Sequence, residues 1–578
     1  MKKIITSALS AALVCLCDVS CYTDKGNYDY SYNTDDIVFL ERGHGAIEIL
    51  ESMEVNRENM LQAPFMFRVG ENVEIPARYT ILDKSLTESD LAFEWLLGDQ
   101  VVSTESVLRI DPKPVGDYSG ILHILDTKNN QIYSRTYNFR VEPKYTDGWA
   151  ILSENGAENQ ISYLHLNLGD NGYEAEYEEN VFAKANNGEK LSNVTDICAH
   201  MYDTYPQVFS LSVAQSNETG PIDIDIHSMG KLANYRDQFI GQVPDENFIK
   251  VQSLSTAVLL LSDKGNIYAR TEEKEGFSDT KPHEGLFPTT PFGNEYNLNI
   301  THWINMSNMA SGFSGINETV AYDENKHRCV VVHAVGSTNT NLGMKCYPFN
   351  EQFYMNSVEP NRNGPGFDGT NYYNDITFPD PYDLSGYKVL AMKGCGRTMD
   401  LFADASFLSV VMLLQKESTG KLYIYSFSFF VASTGRYDVD LDLFYPLPDN
   451  LQIDPETMLC RDFLGSSNHH IFLSNKDRTE IYYVKALSPG GIGKIYSSDS
   501  PITCFCPGEI GNFLPGWGMY DTIYYQLFLV AKENGDIDIV RIDDFAYYGG
   551  GVETVCTVKG GAGKITQACF LSNSSANF

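Results

Sequence analysis

Positive charge is scarce in this chain. Across 578 residues, 42 Lys+Arg stand against 76 Asp+Glu, a net charge of −34. That balance excludes a phosphate backbone as partner, because like charge repels over the whole surface. It also excludes docking on anionic headgroups through a basic patch. There is no C-x-x-C pair, and so no zinc ribbon. H-E-x-x-H and G-x-S-x-G are absent too, leaving neither a zincin helix nor a nucleophile elbow. Beyond residue 21 no apolar run is long enough to span a bilayer. The apolar content of 43% is nevertheless ample for substantial cores.

The first residues carry an address. Lys2 and Lys3 precede the uncharged apolar run Ile4–Cys17. At about 14 residues that run is a secretory h-region and not a membrane span. Asp18-Val19-Ser20-Cys21 follows. A small residue immediately before a cysteine is what bacterial lipoprotein processing requires, although Asp18 departs from the usual apolar residue three places before it. The expectation is a signal peptide over 1–20, acylation of Cys21, and a polar, Tyr-rich tether over 21–36. The mature protein would then be anchored by its N-terminal lipid and would not span the membrane.

Of the 12 cysteines, Cys15 and Cys17 leave with the signal and Cys21 is the lipid site. The other nine sit mostly in apolar strand-like runs such as Arg328-Cys329-Val330-Val331-Val332. They read as small core hydrophobes.

Residues 37–143 form a first domain. Val73, Ile75 and Ala77 alternate, as do Tyr137, Phe139 and Val141, the period of half-buried strands. Trp95 in a strand, with Gly116-Asp117-Tyr118 entering another, predicts an immunoglobulin-like β-sandwich in which the Trp packs centrally and the Tyr ties a corner. A sugar platform at Trp95 is the competing use of the same ring.

Residues 144–578 repeat. Hairpin patterns recur at Ala150–Leu166, Gln207–His227, Thr256–Arg270, Arg328–Tyr347, Phe407–Phe427, His469–Lys485 and Gln526–Arg541. Their starts lie roughly 50 to 80 residues apart. A second element reads Val194-Thr195-Asp196-Ile197-Cys198, Ile300-Thr301-His302-Trp303, Ile502-Thr503-Cys504-Phe505-Cys506 and Ile565-Thr566-Gln567-Ala568-Cys569. The last copy has no hairpin after it, and the first hairpin has no such strand before it. A mainly β fold resolves both: a seven-bladed β-propeller in which the C-terminal strand completes the first blade. Six or eight blades are the competing counts.

Chemistry is harder to place. Gly490-Gly491-Ile492-Gly493-Lys494 and Gly560-Gly561-Ala562-Gly563-Lys564 lack P-loop spacing and read as turns between blades. His469 and His470 adjoin in a strand and face opposite ways. His302 falls on a predicted inner strand, where it either lines a channel or is a satisfied structural residue. Asp438, Asp440 and Asp442, and Asp536 with Asp538, read as solvated faces. Asp368, Asn371 and Asp375 are a weak Ca²⁺ cluster without EF-hand spacing; no other metal or cofactor is expected. The candidate ligand-binding aromatics are Trp303, Phe367, Tyr372, Tyr373, Trp517, Tyr520, Tyr547 and Tyr548. Rings beside amides and carboxylates suit a sugar, an extended peptide or a protein interface; folding back over the propeller is the alternative. No catalytic residue stands out, and the chain reads as a binding protein before an enzyme.

Cys21-Tyr22-Thr23-Asp24-Lys25-Gly26-Asn27-Tyr28-Asp29-Tyr30, with Gly148-Trp149-Ala150-Ile151-Leu152-Ser153-Glu154, resembles the PKD-like family lipoproteins of Bacteroidetes. The resemblance implies a PKD-like sandwich, anchoring by the lipid to the outer membrane with exposure at the cell surface, and an association with Sus-like uptake systems, a TonB-dependent barrel with its lipoprotein lid. The expected role is capture of an oligosaccharide or oligopeptide, scaffolding of the transporter, or both. A glycan- or peptide-degrading propeller enzyme is the alternative.

Overall fold

The computed structural model describes residues between Ala46 and Leu571; residues 1–45 and 572–578, the segments 56–61, 203–207, 305–317, 336–342, 349–365, 396–405, 463–468, 486–491, 512–524 and 544–550, and further short breaks lie outside the description. Cys21 and the leader therefore lie outside it. The chain divides into two compact units, Met1–Glu142 and Pro143–Phe578.

The first unit is all β. A five-stranded sheet runs in the order Phe65–Arg68, Gln131–Glu142, Gly116–Asp126, Leu91–Leu97, Gln100–Ser103. The pairs Val73–Pro76 with Val107–Ile110, and Ile47–Ile49 with Tyr79–Ile81, share its core. Alternation along each strand sends Val73, Ile75, Leu122, Ile124, Phe139 and Val141 inward. Trp95 is 1% exposed, and its indole N–H donates to the Glu105 carbonyl at 2.8 Å. It is the core tryptophan of a sandwich, and its ring is unavailable as a sugar platform. The Tyr118 hydroxyl donates to the Pro114 carbonyl at 2.7 Å, tying the entry to its strand.

Besides two two-stranded ladders, the second unit holds seven successive antiparallel sheets of three or four strands among the described residues. Sheet 2 is Val194–Tyr202, Val208–Gln215, Ile222–Asp225, Lys231–Asn234. Sheet 3 is Phe248–Leu254, Ala257–Ser262, Ile267–Thr271. Sheet 4 is Ile300–Trp303, Glu318–Asp323, Arg328–Val335, Gly343–Pro348. Sheet 5 is Tyr387–Cys395, Ser406–Lys416, Leu422–Val431, Tyr437–Pro446. Sheet 6 is Ile453–Asp462, His469–Asn475, Glu480–Lys485, Ile492–Ser497. Sheet 7 is Ile502–Gly511, Tyr525–Lys532, Ile537–Asp543, Val552–Val558. Sheet 1 differs in connectivity: Gly172–Glu178, Glu158–Gly169 and Gly148–Asn155 are followed by the chain's last strand, Lys564–Leu571. Sheet 3 has three strands, and only an isolated bridge from Ile267 to Phe292 marks a fourth position.

Each sheet is apolar on both faces, which is why its central strands read as unbroken hydrophobic runs. Ala150 and Leu152 pack toward sheet 2, while Trp149 and Ile151 on the same strand pack toward sheet 7. Val258 and Leu260 pack with sheet 2, and Leu259 and Leu261 with sheet 4. Further cores join sheets 4 and 5, 5 and 6, and 6 and 7.

Three readings need correction. The fourth hairpin pattern, Arg328–Tyr347, covers the third and fourth strands of sheet 4; its second strand is Glu318–Asp323. The Val-rich third strand outweighs the short second one in any scan for apolar runs. Gly560–Lys564 does join sheet 7 to the last strand of sheet 1, but Gly490–Lys494 joins the third and fourth strands within sheet 6. Asp536 and Asp538 are not solvated: they are 8% and 7% exposed and paired with Lys559 and Lys532.

Candidate functional site

The first strand of every sheet after sheet 1, and the last strand of sheet 1, carries an interruption near its start. In six of these seven inner strands one residue is bulged from the ladder: Thr195, Ile249, Thr301, Leu390, Thr503 and Thr566. In sheet 6 the interruption spans Asp454 to Leu459 and contains Pro455, which has no N–H to give the ladder. A bulge breaks alternation and re-aims the side chain that follows. The residues that follow are Asp196, Lys250, His302, Ala391, Cys504 and Gln567; Lys393 shares the face of Ala391 two places on.

These side chains reach from one sheet to the next. Gln567 of sheet 1 donates through Nε2 to Asp196 Oδ1 of sheet 2 at 2.7 Å. Its Oε1 accepts the Ile197 N–H at 3.0 Å. Thr195 donates through Oγ1 to the Ile249 carbonyl of sheet 3 at 2.8 Å. His302 of sheet 4 meets the Leu390 backbone of sheet 5, and Cys504 of sheet 7 meets the Ala568 backbone of sheet 1.

The polar groups also act on one another across sheets. Burial pushes the His302 imidazole down to about 4, and Lys250 and Lys393 push the same way; the ring is therefore neutral at physiological pH. Burial lowers the Lys393 ammonium, with Lys250 adding to the effect and Asp196 opposing it. Burial raises the Asp196 carboxyl, against pulls from Lys250, Gln567, the Val251 backbone and Lys393. Cys504 is pushed up to about 12, chiefly by burial, although Lys393 works against that. Asp196 is 6% exposed, and its Oδ2 has no hydrogen-bond partner of full geometry among the described residues. Lys250, His302, Lys393, Cys504 and Gln567 are only partly buried. A buried acid of raised pKa beside a lysine of lowered pKa marks a candidate site.

Of the sequence-predicted ligand-binding residues, only Trp303 has a described side chain. Trp303 is 3% exposed in the core between sheets 3 and 4, packed with Leu254, Leu259 and Ala321, so it offers no open ring face. Gly366–Phe367 pairs with Tyr372–Tyr373 as a two-stranded ladder, but the side chains of Phe367, Tyr372 and Tyr373 lie outside the description. So do Trp517, Tyr520, Tyr547, Tyr548, Asp368, Asn371 and Asp375. Among the described residues no three His, Cys, Asp or Glu are grouped to hold a metal ion. Cys329, Cys346, Cys504, Cys556 and Cys569 are free thiols. An open groove of about 900 Å³, lined by Gln415, Lys421, Asp449, Asp454 and Lys476, lies between sheets 5 and 6.

Sequence reasoning missed Asp196, Lys250, Lys393 and Gln567 as site residues. The signal was present: the residue after Thr in the four repeated elements is Asp196, His302, Cys504 and Gln567. Lys250 and Lys393 sit on inner strands that lack the Val/Ile-Thr pair and so escape that alignment.

The PKD-like family model matches residues 21–193, which takes in the sandwich and the first three strands of sheet 1. No curated protein sequence matches the chain. Among solved structures, a quinonprotein alcohol dehydrogenase-like protein from Bacteroides thetaiotaomicron overlaps 90% of this chain and 99% of its own, with 11% identity and a TM-score of 0.35. Prp20p from Saccharomyces cerevisiae overlaps 69% of this chain and 81% of its own, with 11% identity and a TM-score of 0.32. Cobalt-substituted ACO from Synechocystis overlaps 84% and 92%, with 8% identity and a TM-score of 0.32. Overlaps this loose carry no function from those proteins to this chain.

Proposed function

We propose that this chain is a surface lipoprotein that presents a seven-bladed β-propeller as a binding module beside an outer-membrane uptake system. The observation that carries the reading is the polar cluster on the inner strands of successive sheets. Seven sheets with a core between each and the next, and a last strand seated in the first sheet, support a closed ring. In such a ring the inner strands face a common axis, and their partly accessible polar groups line it. The leader, Cys21 and the PKD-like region support an anchored, exported module. The ligand class is an oligosaccharide or oligopeptide, and the partner a TonB-dependent transporter with its lipoprotein lid.

Labelling with radioactive palmitate and mild-detergent co-purification test this reading. Wild-type protein should take up label and Cys21→Ser should not. The labelled protein should carry the barrel and lid with it, and should be retained on one polymer or peptide of a panel. An unlabelled wild type, or a labelled protein that retains nothing and brings down no transporter, overturns it.

A further inference from the structure

Two lysines of an acidic chain stand on the inner strands with no counter-ion of their own. Neither Lys250 nor Lys393 forms an ion pair among the described residues, although the chain carries 76 Asp and Glu. Lys250 follows the bulge in sheet 3, and Lys393 lies two residues beyond the post-bulge position of sheet 5. His302 of sheet 4 stands between them in chain order and feels both. The carboxylate that feels both lysines is Asp196, and it is already engaged: Gln567 holds Oδ1 while Oδ2 has no full-geometry partner. Two lysine amines, one of them lowered by burial, thus share one carboxyl that is itself raised, beside a neutral imidazole. Unpaired charge in such a place is costly unless something pairs it.

We propose that Lys250 and Lys393 form a carboxylate-binding site on the axis of the second unit, with Asp196 Oδ2 accepting a hydrogen bond from a donor on the same ligand. The proposal deepens the binding reading above and rests on its ring. A carboxylate between two ammonium groups gains charge-assisted hydrogen bonds at both ends. Asp196 then selects among carboxylates, favouring those with a hydroxyl or N–H close by. Two sources of ligand fit this chemistry: the acid group of a uronic sugar, and the free C-terminus of a peptide.

The test uses the full chain in mild detergent and reads melting temperature and titration calorimetry. The probes are glucuronate against glucose, a dipeptide against its C-terminal amide, and acetate. One of the two acids should bind saturably and raise the melting temperature, while its neutral counterpart should do neither. Which acid binds identifies the source. Lys250→Gln and Lys393→Gln should each weaken binding at least tenfold, and Lys→Arg at either place should restore most of it. Asp196→Asn should weaken the donor-bearing acid and leave acetate unchanged. Equal binding of acid and neutral probes, or no binding of either acid, overturns the proposal even if a lysine variant fails to fold. Undiminished binding in folded lysine variants overturns it as well. Failure of the ring reading is separable: Gln567→Ala would then leave the melting temperature untouched, whereas an intact ring without the site keeps that effect and shows no acid-specific shift.

Discussion

The indole of Trp149 occupies the space that a side chain at Gly508 would need. A Cβ built on Gly508 would fall 1.9 Å from Trp149 Cζ2, and the indole N–H donates to the Pro507 carbonyl at 3.3 Å. Trp149 belongs to sheet 1 and Gly508 to the inner strand of sheet 7, so the first and last sheets meet through this contact. Gly508→Ala must displace a fully buried ring or bend an inner strand. The expected loss is about 1–3 kcal/mol or more, the range for overpacked cores. Gly493→Ala is the control, because a Cβ there meets nothing within 4 Å; it should change stability by no more than about 0.5 kcal/mol. Denaturant midpoints of the two variants check the contrast.

Gln567 fastens the chain's last strand to sheet 2. Gln567→Ala leaves the buried Asp196 Oδ1 and the Ile197 N–H without that partner. Unsatisfied buried groups cost about 1–3 kcal/mol each, so the variant should melt clearly lower. Gln567→Glu is the sharper experiment, because it sets a second carboxyl 2.7 Å from one already held above its usual range. An acid whose folded pKa is raised favours the fold while protonated, and it works against the fold once pH climbs past the unfolded value. The variant should therefore be most impaired at neutral pH and recover toward wild type as pH falls toward the carboxylate range. A flat difference from wild type across pH would contradict the placement.

Trp95 separates a core role from a ligand role in the sandwich. With 1% exposure and its N–H committed to Glu105, truncation to Ala should cost about 3–5 kcal/mol. The first unit should then lose its folded near-ultraviolet signal at a lower temperature. A stable variant that lost only sugar retention would reverse this assignment.

Much of this architecture can be read from the sequence, and the reasons are local. Val258-Leu259-Leu260-Leu261 and its turn at Gly265 announce a strand buried on both faces, because consecutive residues serve opposite neighbours. The Val/Ile-Thr element announces an inner strand wherever Thr occupies the bulge. Where Ile249 or Leu390 takes that place the element is invisible, since a bulge is a backbone event and many side chains tolerate it. The site was obscured for the same reason. Lys250 and Lys393 look like ordinary charges in amphipathic strands, and only the contacts between sheets bring them near Asp196 and His302. Aromatic residues drew attention because large rings are conspicuous in sequence. Trp303, however, is spent on the core between sheets 3 and 4.

Sheet 7 holds a buried ion pair, bonded to sheet 6 through Tyr496, whose response to acid has a definite sign. Lys532 contacts Asp538 at 2.9 Å and Asp499 at 3.1 Å. The Tyr496 hydroxyl of sheet 6 donates to Asp538 Oδ2 at 2.5 Å, and Thr557 to Oδ1 at 2.7 Å. Burial pushes the Asp538 carboxyl up, but hydrogen bonds from Tyr496, Lys532 and Thr557 outweigh it and hold the group below its usual value. Burial likewise works against the Lys532 charge, and its partners Asp538 and Asp499 raise it overall. A carboxyl with a depressed folded pKa contributes stability above its unfolded value, near pH 4, and surrenders it as pH falls through the folded value. Asp538→Asn removes the charge while keeping the shape, and leaves the 7% exposed Lys532 with only the exposed Asp499. Breaking a buried pair from one side costs about 3–5 kcal/mol, so the variant should lose stability of that order at pH 7. Wild type and variant should then converge on acidification, because both lack the carboxylate there. Urea titrations at pH 7, 5 and 3 check this, and a gap that stayed constant through that series would show that Asp538 does not carry the linkage.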